Sequence, residues 1–167
     1  MGFSRLLKPD LFFNSIHEID ADVLKKHGIK GLLVDLDNTL ISHEAEDLDD
    51  CSRAWLLQLM RSGINCCIIS NNITGRVKRI SNDLGIDYVG GALKPFRQAF
   101  LKGIGRLNIP DSNIAIVGDQ LFTDILGGNM VGIKTILVRP ISMKERFWTE
   151  MIRHLEKKIK GRMGIPV

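Results

Sequence analysis

The chain has 167 residues, 44% of them hydrophobic and 25% charged, which suits one globular domain spanning residues 1–167 and excludes wholesale disorder. No apolar run approaches the length that crosses a bilayer, and Pro9 and Asp10 interrupt the basic start "MGFSRLLKPDLFF" before a signal-peptide core develops. The net charge of +4 is lodged at one end: residues 139–167 hold eight basic and three acidic side chains, whereas the preceding 138 hold 15 and 16, an argument against a nucleic-acid surface on the body of the chain.

In chain order, "DADVLKKHG" reads as a short helix with Asp20 as N-cap and Gly28 at its end. The run "GLLVDL" (residues 31–36) is then the first strand. The acidic patch 44–50 supplies N-caps for a helix through about Arg61, with Trp55, Leu56, Leu59 and Met60 at core-face spacing. "INCCIIS" is the second strand, apolar throughout as in a sheet covered on both faces. Its adjacent Cys66 and Cys67 point to opposite faces. With Cys51 they make an odd number, and all three read as reduced core thiols of a cytoplasmic or similarly reducing compartment.

A helix over 73–84, a short strand over 87–89, a helix over 95–107, the strand "NIAIVG", a helix over 122–130 and the strand "IKTILV" complete the pattern. Gly127 and Gly128 inside the last of these helices cost about 1 kcal/mol each relative to alanine, which points to close helix packing there. Alternating strands and helices predict an α/β fold, a parallel sheet with helices on both faces, whose ligands gather at the carboxyl ends of the strands.

Those ends carry unusual chemistry. The first strand ends in "DLDNT", the second in "SNN", the fourth in "GDQLFTD", and "LKP" places Lys94 before a helix that Pro95 can open. In a parallel sheet Asp35, Asp37, Ser70, Lys94, Asp119 and Asp124 share one edge. The carboxylates are too many to stand together without a cation, and all-oxygen ligation favours magnesium over zinc. Ser70, neighbouring backbone N–H groups and Lys94 suit an anion, so the set points to phosphoryl chemistry. Taken singly, the same residues are ordinary caps, turn hydroxyls and a solvated lysine; their order along the chain sets them apart.

These four segments resemble, in order, the four motifs of the haloacid dehalogenase-like (HAD) superfamily of aspartate-nucleophile phosphotransferases, over about residues 31–138. The resemblance implies a Rossmann-like core with Asp35 as nucleophile, Asp37 as acid and base, and Thr39 bracing the loop. It further implies that Ser70 and the N–H of Asn71 hold the phosphoryl oxygens, that Lys94 offsets negative charge, and that Mg2+ sits on Asp35, Asp119 and the backbone carbonyl of Asp37. Asp124 would orient this set or add a ligand. The presence of Asp37 favours a phosphatase over a dehalogenase, and the short gaps between motifs leave no room for a cap domain.

The prelude "LKPDLFFNSIHEIDADVLKKHGIKG", the segment "VGDQLFTDILGGNMVGIKTILVRPI" and the basic tail are similar to the YqeG-type branch of subclass III-A, which includes phosphatidylglycerophosphate phosphatases. The expected substrate is accordingly a phosphate monoester of a phospholipid, with a soluble nucleotide, sugar or nucleic-acid end phosphate as the alternative. A binding module on a retired phosphatase fold would be expected to lack the catalytic carboxylates, and a receiver domain would give Asp37 no task. A basic amphipathic helix over about 143–160, with Trp148, Ile152, Leu155 and Ile159 in one stripe, suits either an anionic membrane surface or the domain itself. Asn71, Asn72 and Gln120 read chiefly as loop-shaping, with substrate contact as the lesser reading, and Arg76 and Arg79 as surface charge, with headgroup contact as the lesser reading. His17, His27, His43 and His154 lack metal-ligand spacing, and only His43 lies close to the site in sequence. The oligomeric state is not legible.

Overall fold

The computed structural model describes residues 3–73, 75–142 and 161. The helix expected over 143–160 lies outside the described residues. Six parallel strands form one sheet: β1 (Leu11–Phe13), β2 (Gly31–Asp35), β3 (Asn65–Ile69), β4 (Asp87–Val89), β5 (Ile114–Gly118) and β6 (Lys134–Val138), in the order β1-β6-β5-β2-β3-β4. The helices are α1 (Phe3–Leu6), α2 (Ala21–Lys26), α3 (Asp50–Arg61), α4 (Gly75–Leu84), α5 (Arg97–Leu107) and α6 (Leu126–Val131).

Strand β2 lies at the centre because it is apolar on both faces, and all five of its residues are buried. Leu32 and Val34 face a cluster with Trp55, Leu56 and Leu59 of α3 and Val77, Ile80 and Leu84 of α4. Leu33 faces the other way, onto a cluster with Ala99, Phe100 and Ile104 of α5. Cys66 and Cys67 divide between the same two clusters, as strand alternation requires. Cys51 departs from its reading as a core thiol: it occupies the first turn of α3 on the solvent side and is exposed.

Local signals account for most boundaries. The Asp20 carboxylate accepts from the Val23 N–H at 2.8 Å to start α2, and the Asp49 carboxylate accepts from the Ser52 N–H at 2.7 Å to start α3. The sequence reading missed β1. Its three residues are half-buried and pair with Ile136, Leu137 and Val138 of β6, so its strand state comes from long-range pairing rather than from local periodicity. The paired glycines are explained by contact: a Cβ on Gly127 would overlap the Phe100 ring, and one on Gly128 would overlap Ile116 and Thr135. Helix α6 therefore lies directly against α5 and the sheet.

From β2 the chain steps outward through β3 to β4, then crosses back to β5 on the other side of β2 and on to β6. The direction of winding reverses at β2, and the loops diverge beyond its carboxyl end. A crevice at such a switch point is where open α/β sheets bind ligands.

Candidate active site

Asp35 is the last residue of β2, paired in register with Ile69, so Ser70 begins the neighbouring loop. On the other side Val34 pairs with Val117, and Gly118 and Asp119 follow. Parallel register thus delivers Asp35, Ser70 and Asp119 to one crevice. Loop 90–96 adds Lys94: the Asn71 side chain accepts from the Lys94 N–H at 2.6 Å, and the Ala92 N–H donates to the Ser70 carbonyl at 2.9 Å.

Asp124 arrives by a different device. After β5 the backbone makes one π-helical turn, Leu121–Ile125, a widened turn of the kind common at functional sites. The Asp124 carboxylate folds back to accept from the Gln120 N–H at 3.1 Å. It lies so close to β5 that a Cβ on Gly118 would overlap it, so glycine at 118 makes the space. The Gln120 side chain accepts from the Thr123 hydroxyl at 3.2 Å, which shapes the turn.

Two sides of the crevice can be distinguished. On the inner side, Lys94 Nζ donates to Asp35 at 2.5 Å and to Asp124 at 2.6 Å, all three side chains being buried. The Thr39 hydroxyl lies 3.1 Å from the second Asp35 oxygen and 3.3 Å from Asp119. Carboxylate oxygens of Asp35, Asp119 and Asp124 lie within 4.8 Å of one another. Burial pushes Asp35 well above the usual carboxylate range; Lys94 opposes the rise, and the like charges of Asp124 and Asp119 add to it. Burial works against the Lys94 ammonium, but Asp124 and Asp35 outweigh it and hold its proton more firmly than in water. The cluster thus gathers only one ammonium and three carboxyl groups. Their oxygen-only donor set could hold a hard divalent cation.

On the outer side, Asp37 stands two residues further on and faces different partners. Ser70 Oγ donates to it at 3.0 Å, and the Arg76 guanidinium pairs with its other oxygen. The Asp37 side chain is 17% exposed and that of Arg76 10%. Arg76 also donates to the Ala45 carbonyl at 2.8 Å, which ties α4 to the loop after β2. Ser70 Oγ in turn accepts from the Asn72 N–H at 3.0 Å. His43 Nδ1 stands 3.9 Å from Asp37, beyond hydrogen-bond reach.

The structure therefore places Asp35, Thr39, Lys94, Asp119 and Asp124 in one cluster, with Asp37 and Ser70 beside it and Asn71 fixing the Lys94 loop. Asp37 is not one of the three clustered carboxylates, and its side chain meets Ser70 and Arg76 instead. Arg76 is the residue the sequence reading undervalued as surface charge. The available signal was its position: the first turn of a helix that follows a strand's carboxyl end is directed at the crevice.

Comparison with known proteins decides the family. A model described as mitochondrial PGP phosphatase matches residues 2–85, and one described as HAD-hydrolase-like matches residues 92–140. "Probable phosphatase YqeG" of Bacillus subtilis is 36% identical over 90% of this chain and 88% of its own length. The chain belongs to the HAD superfamily, in its YqeG and phosphatidylglycerophosphate phosphatase branch, and is a phosphatase. "Phosphatidylglycerophosphate phosphatase 1, chloroplastic/mitochondrial" of Arabidopsis thaliana is 26% identical over 89% of this chain, which spans only 45% of that relative. The fold matches that of the cobalt-bound deoxy-D-mannose-octulosonate 8-phosphate phosphatase of Haemophilus influenzae with a TM-score of 0.55, at 16% identity over 84% of this chain and 92% of that one. Among the described residues, the segment between Asp37 and Ser70 holds α3 and β3, and that between Ser70 and Lys94 holds α4 and β4. No helix among the described residues is long and apolar enough to cross a membrane.

Proposed function

We propose that this phosphatase is a magnesium-dependent phosphomonoesterase that works through an aspartyl phosphate and removes the terminal phosphate of phosphatidylglycerophosphate. The observation that carries the chemistry is the pair Asp35 and Asp37, two residues apart at one strand end yet in opposite settings: one held by Lys94 and Thr39, the other by Ser70 and Arg76 at the solvent side.

In the first step an Asp35 carboxylate oxygen attacks phosphorus while the bond from phosphorus to the ester oxygen breaks. Asp37 gives its proton to the departing alkoxide, which leaves as the alcohol. In the second step Asp37, now a carboxylate, takes a proton from water as the water oxygen attacks the aspartyl phosphate. The Asp35–phosphorus bond breaks, and inorganic phosphate and the Asp35 carboxylate are restored. Ser70 Oγ and the Asn71 N–H bind the non-bridging oxygens, Lys94 balances charge on Asp35 and phosphate, and Thr39 fixes the Asp35 rotamer. Asp35, Asp119, the Asp37 carbonyl and Asp124 would hold Mg2+, which supplies charge neutralisation to the phosphoryl group when bound.

The lipid substrate is supported by the family model over residues 2–85 and by the relatives named for this activity. An open, capless mouth also suits a phosphate carried on a large or surface-bound molecule. The test is phosphate release, with and without magnesium, from phosphatidylglycerophosphate in vesicles beside soluble monoesters. Wild type should prefer the lipid and need the metal, and Asp35→Asn should lose at least about a thousandfold on every substrate. Preference for a soluble ester would refute the lipid assignment, and an active Asp35→Asn would refute the nucleophile.

A further inference from the structure

All loops leaving the carboxyl ends of the parallel strands share one edge of the molecule, and the large apolar side chains left exposed concentrate there. Of the six such side chains among the described residues, Ile73 (88% exposed), Leu93 (66%), Phe96 (68%) and Ile141 (50%) stand on these loops; the other two, Leu101 and Met130, lie within α5 and α6.

These side chains sit on a braced platform around the catalytic residues. The Gly91 N–H donates to the Asn72 carbonyl and the Phe96 N–H to the Leu93 carbonyl, both at 3.0 Å, and the Ile73 side chain lies over Gly91. Across the crevice the Ile141 N–H donates to the Asn38 carbonyl at 3.0 Å, which ties the loop after β6 to the catalytic loop itself. Leu93 holds a left-handed backbone (φ 54°), a conformation costly for a bulky side chain and common where a functional loop is constrained. Its side chain points to solvent although Lys94, the next residue, is buried.

We propose that this apolar rim is a membrane-docking face: Ile73, Leu93, Phe96 and Ile141 enter the interfacial layer of a bilayer and set the mouth of the site against the headgroup it hydrolyses. The proposal rests on the lipid-phosphatase reading and deepens it. Two arguments favour a lipid surface over a protein. Ile73, Leu93 and Phe96 stand on the loops that carry Ser70 and Lys94, and Ile141 is bonded to the catalytic loop, so a protein seated on them would cover the site, whereas a bilayer bearing the substrate presents the phosphate there. Arg97, next to Phe96 in the chain, and Arg139, two residues before Ile141, are exposed and cationic and complement anionic lipid. The loop after β2 carries exposed Glu44, Glu46, Asp47 and Asp49 on the same edge, of which Glu46 is paired with Arg79 and Asp47 with Arg53. An exposed apolar cluster edged by polar groups is the kind of surface that marks such contacts.

The full-length protein tests this with vesicles of phosphatidylcholine and phosphatidylglycerol. Two variants are used: Ile73→Ser combined with Phe96→Ser, and Leu93→Asn, asparagine being at ease in the left-handed region. Vesicle co-sedimentation and turnover of vesicle-borne phosphatidylglycerophosphate should each fall at least about tenfold, while turnover of p-nitrophenyl phosphate stays within about twofold. Unchanged vesicle binding in both variants would overturn the proposal, as would an equal loss on the soluble ester, which would assign these side chains to the site itself. Loss of self-association without loss of vesicle binding would also overturn it and give the face to a second copy of the chain. Binding is read separately from turnover, so a wild type that docks through these residues but hydrolyses only soluble esters would refute the lipid-phosphatase reading while supporting the docking face.

Discussion

The two sides of the crevice use the same residue types for opposite ends. On the inner side, burial makes each charge depend on the others: Asp35 and Asp124 share Lys94, Asp119 lies close to both carboxylates, and removing one member leaves the rest uncompensated in a low-dielectric setting. On the outer side, Asp37 and Arg76 form a pair that is mostly buried but keeps an edge to water, so a charge that loses its partner there is partly hydrated. The inner arrangement holds a nucleophile in one place. The outer one leaves Asp37 partly exposed, which suits the proposed exchange of a proton with a leaving alcohol and then with water.

The comparison breaks most sharply at Lys94. In Lys94→Met, Asp35 and Asp124 lose their shared ammonium, and removing one partner of a buried ion pair costs about 3–5 kcal/mol. The melting temperature should fall accordingly and phosphate release should be lost. Magnesium should raise the melting temperature of the variant more than that of wild type, because the added cation then meets an unbalanced cluster. An equal response in both proteins would mean that the three carboxylates do not act together on a cation.

Arg76→Gln should have a smaller and different effect. It removes a charge from a pair that is less deeply buried than the inner cluster, so the stability loss should stay below the roughly 3–5 kcal/mol expected of Lys94→Met. Phosphate release should fall by about ten- to a hundredfold, since Asp37 loses the group that orients it and misplacement of a reacting group by about 1 Å can cost that much. Steady-state kinetics beside thermal melting separates the two variants. A large stability loss in Arg76→Gln would show that the outer pair is as interdependent as the inner one.

The inner side was also the more legible from sequence, for a physical reason. Asp35, Lys94, Asp119 and Asp124 stand at or just after strand ends, and a parallel sheet brings such ends to one edge whatever the details of packing. Arg76 needed knowledge of how α4 leaves the sheet, and its contact with Ala45 spans a loop that no periodicity predicts. Strand β1 was missed for a similar cause, as only its pairing with β6 makes it a strand. Exposed Ile73, Leu93 and Phe96 read as apolar positions in the sequence, and only the fold shows that they are turned outward. Gly127 and Gly128, by contrast, announced a close contact through their cost alone.

The cysteines give the smallest effect and a control on the rest. Burial pushes Cys66 up to about 12 from an ordinary value of 9.0, with Cys67 adding to it, and burial does the same to Cys67, with Asp87 adding. Cys51 is exposed on α3. At pH 8 a thiol-alkylating reagent should therefore label one cysteine per native chain and all three in denaturant, counted by intact mass. In Arg76→Gln the native count should stay at one. In Lys94→Met, Cys66 and Cys67 should label about a hundredfold faster than in wild type or more, because a loss of about 3 kcal/mol raises the open population by that factor. The pH must stay below 9. The folded state holds these thiol protons more tightly than the unfolded one, so the stability they contribute is whole below pH 9 and is lost as pH rises towards about 12. Labelling of Cys66 and Cys67 at equal rates in both variants would mean that the inner cluster carries no more of the fold than the outer pair, and the distinction between the two sides would then rest on chemistry alone.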